Sequence, residues 1–423
     1  MSAAILAGYP AFATLNLAFG RRLWHNRAMN SKQHAATLAA NGRFDAALRL
    51  LVGLDGDDAA LVAFRRGALA LKRNDAFAAV AGFEAVMTLD PDFPALRDAL
   101  VSAYRRDARY DDAIALAGAG PQTRQIRYEC GMAHLALGQG GEALACFDAI
   151  LAADPDHAVS WFASHAAALE LYGLEDALAR LDRACACQGA NGRYRAFAVA
   201  YGLLTGGDVA AMEAAHIAGF PARRPLVDGV RALAPFLPRP PCLFGMSAST
   251  LDFALDQATV PGLVLEFGVR RGTSLNRLAA RAGQGVHGFD SFEGLPQSWG
   301  AEPAGVLTTG AQLPKVADNV TLHPGWFDDT LAPFLADQDG AVRLVNIDSD
   351  IYASARQVLF ALAPRLKAGS IIVFDELIGN RTWAEDEFKA LLEFIQAFDT
   401  EVEILAVSPF SKQVVMRVLT LRR

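Results

Sequence analysis

Five alanines recur through the first half of the chain, and their spacing limits what that half can fold into. Ala47, Ala79, Ala113, Ala143 and Ala177 occupy the same place in successive amphipathic stretches, with steps of 32, 34, 30 and 34 residues. Two copies align without a gap: FAAVAGFEAVMTLDPD (Phe77–Asp92) and GEALACFDAILAADPD (Gly141–Asp156). Each has the alanine, a Phe four residues later and Asp-Pro-Asp at its end. Weaker copies are FDAALRLL (Phe44–Leu51), YDDAIALA (Tyr110–Ala117) and LEDALARL (Leu174–Leu181). A single helical hairpin cannot bury its apolar face, so hairpins at this period stack into a solenoid with a shared core. Five or six hairpins are expected between residues 30 and 216, with Phe83 and Phe147 packed inside.

The period near 34, the small residue where helices cross and the Asp-Pro closing the second helix resemble tetratricopeptide repeats. The Trp-Leu-Gly-Tyr half of that motif is mostly missing. The resemblance implies a concave surface for a peptide or protein partner. Before the array, residues 2–20 carry no charge and are followed by Arg21 and Arg22. No basic stretch precedes the apolar part, so residues 1–29 read as an apolar arm or packed helix rather than a secretory signal. Gly8, Pro10, Thr14 and Asn16 make a poor membrane span, and membrane contact is the less favoured reading.

GFPARRPLVDGVRALAPFLPRPPCLFG (Gly219–Gly245) breaks the helical rhythm with six prolines and reads as a linker over residues 217–245. Beyond it, over residues 246–423, short apolar strands alternate with helical stretches, the pattern of an α/β domain with a parallel sheet. The expected fold is therefore two-domain: an all-α solenoid at 30–216, then a Rossmann-like α/β domain closed by a C-terminal β-hairpin. A formal net charge of -7 disfavours a general nucleic-acid binder. The five cysteines form no Cys-x-x-Cys pair and read as reduced, small core residues of a cytoplasmic protein.

Five strands are expected at Gly262–Gly268, Gly285–Asp290, Val320–Gly325, Val342–Asp348 and Ser370–Glu376. Their carboxyl ends, where ligands bind in such sheets, carry Glu266, Asp290, Asp348, Asp350, Asp375 and Glu376. The first strand enters EFGVRRGTS (Glu266–Ser274). There Gly268 and Gly272 let the backbone approach a ligand, and a helix opens with free N–H groups at Thr273 and Ser274. A dinucleotide fingerprint needs G-x-G-x-x-G, which this turn lacks. An acid entering the turn and Asp290 placed for ribose hydroxyls suit S-adenosylmethionine better, so a nicotinamide-dependent oxidoreductase is disfavoured.

GFDSFEGLPQSW (Gly288–Trp299), QLPKVADNVTLHPGWFDDTLAPFL (Gln312–Leu335), NIDSDIYAS (Asn346–Ser354) and VFDELIG (Val373–Gly379) follow in order. Together they resemble the macrocin O-methyltransferase family, class I enzymes that methylate sugar hydroxyls with S-adenosylmethionine and a divalent cation. The resemblance covers about residues 250–415. It implies that Glu266 and Gly268 border the methionine end of the cofactor, with Gly272, Thr273 and Ser274 nearby. It implies further that Asp290 holds the ribose beside Ser291, and that the segment Gly325–Asp329, with Asp328, closes over the adenine. Asp328 and Asp329 read equally as helix N-cap and first-turn acids. Asp350, Asp375 and Glu376 would ligate the metal, and Asp348 would be the general base. Which of Asp348 and Asp350 is base and which is ligand stays open. Glu376 stands where the family more often has Asp, which makes it the less secure ligand.

The residues themselves also point to a cation. Neighbouring fourth and fifth strands would gather Asp348, Asp350, Asp375 and Glu376, with no Lys or Arg in either motif. An all-oxygen set suits Mg²⁺, with Mn²⁺ second. Such an ion lowers the pKa of an alcohol, and a carboxylate then takes the proton. His287 and His323 read as packed. The helix Trp383–Phe394 reads as amphipathic with its acids solvated, and Trp383 is a candidate for the substrate mouth. The expected protein is an O-methyltransferase acting on a sugar or other polyol hydroxyl of a glycan, glycolipid or secondary metabolite. The alternative is a repeat scaffold whose second domain only binds cofactor or a partner. Oligomeric state is left open.

Overall fold

The structure, a computed structural model, describes residues 31–35, 37–38, 44–53 and 58–422. The apolar arm expected at 1–29 lies outside the described residues. Helices follow one another as α1 (described over residues 31–35), α2 (Phe44–Val52), α3 (Ala59–Lys72), α4 (Ala76–Leu89), α5 (Leu96–Arg106) and α6 (Tyr110–Gly118). They continue as α7 (Arg124–Ala136), α8 (Gly140–Ala153), α9 (Ala158–Tyr172), α10 (Leu174–Ala186), α11 (Tyr194–Thr205) and α12 (Ala210–His216). Asp58 and Asp75 start α3 and α4 by accepting the N–H groups of Leu61 and Ala78, each at 2.9 Å.

All five recurring alanines are fully buried, as are Phe83 and Phe147. Twelve residues before Ala79 and Ala143 stand Gly67 and Gly131, a part of the repeat that the alanine pattern left unread. A Cβ at Gly67 would lie 2.8 Å from the Phe83 ring, and one at Gly131 would lie 2.7 Å from that of Phe147. Each glycine therefore makes room for the aromatic ring of the next helix.

The chain divides into two compact units, Met1–Ala103 with Leu116–Ile126, and Tyr104–Ala115 with Arg127–Arg423. In the first, Phe64 lies against Phe93 and Phe83, with ring centroids 4.9 and 5.2 Å apart. In the second, His165 of α9 is fully buried. Its Nδ1–H donates to the Phe162 carbonyl, leaving Nε2 to accept the Tyr201 hydroxyl at 3.2 Å. Burial pushes the imidazole down to about 4. The unfolded chain then takes up a proton more readily than the folded one between pH 6.5 and 4. The stability from this histidine is complete above pH 6.5 and lost as pH falls towards 4, by up to about 3 kcal/mol. Urea unfolding of wild type and His165→Gln at pH 7.5 and 4.5 measures it: the substitution is expected to flatten the loss of stability across that interval.

Also in the second unit is one eight-stranded sheet. Its strands are β1 (Cys242–Leu243), β2 (Gly262–Phe267), β3 (Val286–Asp290), β4 (Val320–Pro324), β5 (Ala341–Ile347), β6 (Ile371–Phe374), β7 (Glu401–Ser408) and β8 (Gln413–Thr420). The spatial order is β1-β7-β8-β6-β5-β2-β3-β4. Neighbours run parallel except at β8, which is antiparallel to both β6 and β7, so the expected hairpin forms and is inserted between β1 and β6. The short strand β1 comes from the proline-rich stretch, where α13 (Arg224–Ala232) also forms with Pro225 near its start.

Helices cover both faces. On one, α14 (Ser247–Gln257) and α15 (Thr273–Ala282) pack on Val264, Leu344 and Val373. On the other, α16 (Phe327–Asp337), α17 (Tyr352–Leu362) and α18 (Glu387–Ala397) pack on Leu265, Phe267, Ile347 and Phe374. Ala200 of α11 and Leu226 of α13 join this second core. Adjacent residues of β2 thus serve opposite cores, as the period of two requires. No described helix is long and apolar enough to cross a membrane. The cysteines are not core residues as expected: Cys130, Cys146, Cys185 and Cys187 are half-buried free thiols and Cys242 is exposed.

Candidate active site

A cavity of about 650 Å³ opens where the parallel strands end, within the roughly 300–1,000 Å³ usual for small-ligand sites. Behind its wall sits Glu266, fully buried on β2. It accepts from Ser274 Oγ at 2.9 Å and from Asn346 Nδ2 at 3.2 Å. Burial pushes its carboxyl up to about 8 against those two hydrogen bonds. The group therefore pins the first turn of α15 to β5 from beneath. Gly272, Thr273 and Ser274 likewise do not line the cavity.

Gly268 does line it. Its φ is +93°, and a Cβ there would stand 1.7 Å from the Asp348 carbonyl oxygen. Only glycine lets the ends of β2 and β5 come this close. Gly272 caps α15 in the left-handed conformation, φ +77°. Asp290 organises the same turn: its Oδ2 accepts the N–H groups of Val269 and Arg270 at 2.8 and 2.7 Å, and Oδ1 accepts that of Phe292 at 2.6 Å. Three backbone N–H groups thus occupy this one carboxylate.

Ser291 lies on the cavity wall beside Asp290, and Gly325, Trp326, Phe327 and Asp328 form the wall beyond β4. Trp326, not an acid, is the N-cap residue of α16; Asp328 and Asp329 occupy its first turn. Gln357 Nε2 donates to Asp328 at 2.6 Å. His287 and His323 lie 3.1 Å apart, nitrogen to nitrogen, with His323 stacked on Phe289.

Asp348, Asp350, Asp375 and Glu376 all line the cavity. Asp350 has φ +62°, and the Ile351 N–H bonds back to the Ser349 carbonyl at 2.6 Å across it. This is a γ-turn with its aspartate held in a strained conformation, the kind of strain found at functional sites. Burial pushes the Asp348 carboxyl well up, and repulsion from Asp375 and Asp350 adds to it. Asp350 is raised by burial and then by Glu376 and Asp375. Burial and Glu376 raise Asp375 to about 7.

Positive charge does reach this cluster, contrary to the reading of the strand motifs alone. Lys412, beyond both motifs, pairs with Glu376 at 3.0 Å, and Gln413 Nε2 donates to Asp375. The acids of Trp383–Phe394 are not all solvated either. Glu387 is fully buried, its Oε2 accepts the Glu376 N–H at 3.2 Å, and its Oε1 has no partner. Burial raises it well above the usual range, with Asp375 and Asp350 adding to the effect. Trp383 does not line the cavity; its ring packs on Phe388, centroids 5.0 Å apart.

Two further residues come from far upstream. Tyr110, first in α6, lines the cavity. Burial raises its phenol; Arg270 and Arg105 oppose this, and Asp375 and Asp348 reinforce it. Asp107, fully buried, pairs with both arginines of the glycine turn, Arg270 at 3.4 Å and Arg271. Neither residue carries a local signal; only the tertiary fold brings them here.

The acids suit a hard divalent cation in kind. Every donor is oxygen, the charges repel one another, and a buried Glu387 oxygen beside them is unsatisfied.

Residues 265–377 match a family model described as a methyltransferase domain. A curated relative from Streptomyces olivaceus, 8-demethyl-8-(2,3-dimethoxy-alpha-L-rhamnosyl)-tetracenomycin-C 4'-O-methyltransferase, is 32% identical over 146 residues. The match takes in 28% of this chain and 53% of the relative, so the chain spans about half the length of the curated protein it matches. Among solved structures, the calicheamicin methyltransferase CalS11 aligns at 22% identity and TM-score 0.35 over 53% of this chain and 91% of its own. A MamA structure aligns at 23% identity and TM-score 0.27 over 37% of this chain and 95% of its own. The strand ends and glycine turn that build the cavity fall within the matched stretch, and the C-terminal half of the chain thus carries a methyltransferase domain.

Proposed function

We propose that the protein transfers the methyl group of S-adenosylmethionine to a hydroxyl of a sugar or other polyol. The observation that carries this is the pairing, in one cavity, of a glycine turn held by Asp290 with a cluster of buried carboxylates around Asp348. That the relative is named a 4'-O-methyltransferase of a rhamnosyl-bearing tetracenomycin supports a sugar hydroxyl as acceptor. Gly268 and the turn held by Asp290 seat the cofactor, with Ser291 beside the ribose and Trp326 to Asp328 against the adenine. Glu266 keeps Ser274 and the start of α15 in place from below.

Asp348 is the group that takes the hydroxyl proton. It lines the cavity with its backbone against Gly268, next to Asp350 and Asp375. Asp350 and Asp375 would hold a Mg²⁺ or Mn²⁺ ion, with Glu387 a fuller candidate than Glu376, whose oxygens already meet Lys412 and Asn380. Such an ion would supply acidification and orientation of the acceptor hydroxyl. Methyl transfer then needs the oxygen, the methyl carbon and the sulfur in line.

Calorimetric titration of the full chain with S-adenosylmethionine and its demethylated product, with and without Mg²⁺, tests the reading. Binding of both in either condition is expected. Absence of binding would leave the scaffold reading, in which the helical array is the working part.

The arginine clamp gives a second expected result. Asp107→Asn leaves Arg270 and Arg271 without their buried counter-charge and is expected to cost about 3 kcal/mol of stability. Weaker S-adenosylmethionine binding should accompany it, because the turn is no longer held on both sides. Chemical denaturation and calorimetry measure the two effects. Unchanged affinity would place the clamp outside cofactor binding.

A further inference from the structure

A second cluster of side chains lies away from the cavity, on the hairpin of α7 and α8. Cys130 and His134 are four residues apart on α7 and so share one face on successive turns. Cys146 faces them from α8. The two sulfurs and an imidazole nitrogen all lie within 4.8 Å of one another. Among the described residues this is the group of three or more such side chains gathered that tightly; the strand-end acids are more widely spread.

The backbone explains the closeness. A Cβ on Gly131 would lie 3.1 Å from the Cys146 Cβ, so the glycine next to Cys130 lets α8 approach α7 at this level. The imidazole is also oriented. Its Nδ1 lies 2.6 Å from Gln139 Oε1. With Gln139 accepting, Nδ1 carries the hydrogen and Nε2 keeps its lone pair for a ligand. Gln139 stands at the N-cap of α8, yet its side chain makes no cap hydrogen bond. It serves the histidine instead, as partners of metal-binding histidines do.

We propose that Cys130, His134 and Cys146 bind a single Zn²⁺ ion, with water or another small donor in the fourth position. Two thiolates and an imidazole are the soft and borderline donors that zinc takes in tetrahedral sites, and they differ in kind from the all-oxygen set of the cavity. Zinc–sulfur bonds of about 2.3 Å would place the sulfurs roughly 3.8 Å apart, inside the 4.8 Å within which the three donor atoms already lie. The three residues are half-buried, so an ion can enter from solvent. The ion would clasp α7 to α8 within the unit that holds the methyltransferase domain.

Cobalt titration of the full-length protein, reduced and stripped of metal by chelator, reads the site directly. The wild type should develop thiolate-to-cobalt charge-transfer absorption saturating at one ion per chain, and Zn²⁺ should bleach it. A Cys130→Ser/Cys146→Ser double variant should lose the band while keeping its helical circular dichroism. Gln139→Ala should retain the band but bind roughly 10–100-fold more weakly. The proposal is overturned by a wild type with no such band, or by a band that survives in the double variant. It is equally overturned if non-reduced protein loses two titratable thiols to a Cys130–Cys146 disulfide and reduction does not confer cobalt binding. None of these readouts depends on methyl transfer, so the site and the proposed activity stand or fall separately.

Discussion

Replacing Gly268 with alanine is expected to cost on the order of 3 kcal/mol in stability and to lower methyl transfer at least about 100-fold. The new methyl group would occupy a point 1.7 Å from the Asp348 carbonyl oxygen, at a φ of +93° that alanine resists. The β2 and β5 ends are otherwise locked, because the Asp348 N–H bonds to the Phe267 carbonyl at 2.8 Å and the Gly268 N–H to that of Phe289 at 2.9 Å. Relief therefore has to move the strand end that carries Asp348 and Asp350, and shifts of about 1 Å at a reacting group cost about 100-fold. Denaturation midpoints and single-turnover methylation of a sugar acceptor measure the two effects. A variant as active as wild type would mean that the spacing of these strand ends does not set the chemistry.

Asp348→Asn and Asp350→Ala separate the proposed base from the proposed metal ligand. Asparagine at 348 keeps the shape but cannot take a proton, so turnover is expected to fall roughly 10²–10⁴-fold with S-adenosylmethionine affinity unchanged. The Mg²⁺ concentration for half-maximal activity should stay where it was. Asp350→Ala should instead shift that requirement upward and again spare cofactor affinity. If the metal requirement moves with position 348 and not with 350, the two roles are exchanged. Loss of cofactor binding in either variant would put the cofactor, not the acceptor, against these acids.

The parts of the site visible in the sequence were those whose signal is local. An apolar strand run that ends in acids marks Asp348, Asp350 and Asp375. In sequence Glu387 reads as solvated, the third of three acids in an amphipathic stretch. Three acids in a row give no local reason why only the third turns inward, and that depends on where α18 meets the end of β6. Asp107 and Tyr110 lie more than 150 residues before the turn and strands they serve, and no periodicity links them. The cysteine pattern had a readable half, the four-residue step from Cys130 to His134. Cys146 joins only through the crossing at Gly131.

The make-up of the second unit bears on the order in which a ribosome delivers it. Helices α7 to α12 are made long before the sheet, yet Ala200 and Leu204 of α11 belong to a core completed by Val407 and Met416 of β7 and β8. Those two strands follow every other strand in sequence but lie inside the sheet, between β1 and β6. Glu170 of α9 likewise waits for the N–H groups of Gly245 and Met246. Ala200 and Leu204 therefore lack part of their core until β7 and β8 have been made, an interval in which aggregation competes with folding. Cutting the chain at the proline-rich stretch would part α11 from that core for good, so α11 belongs to the methyltransferase core as the strands do.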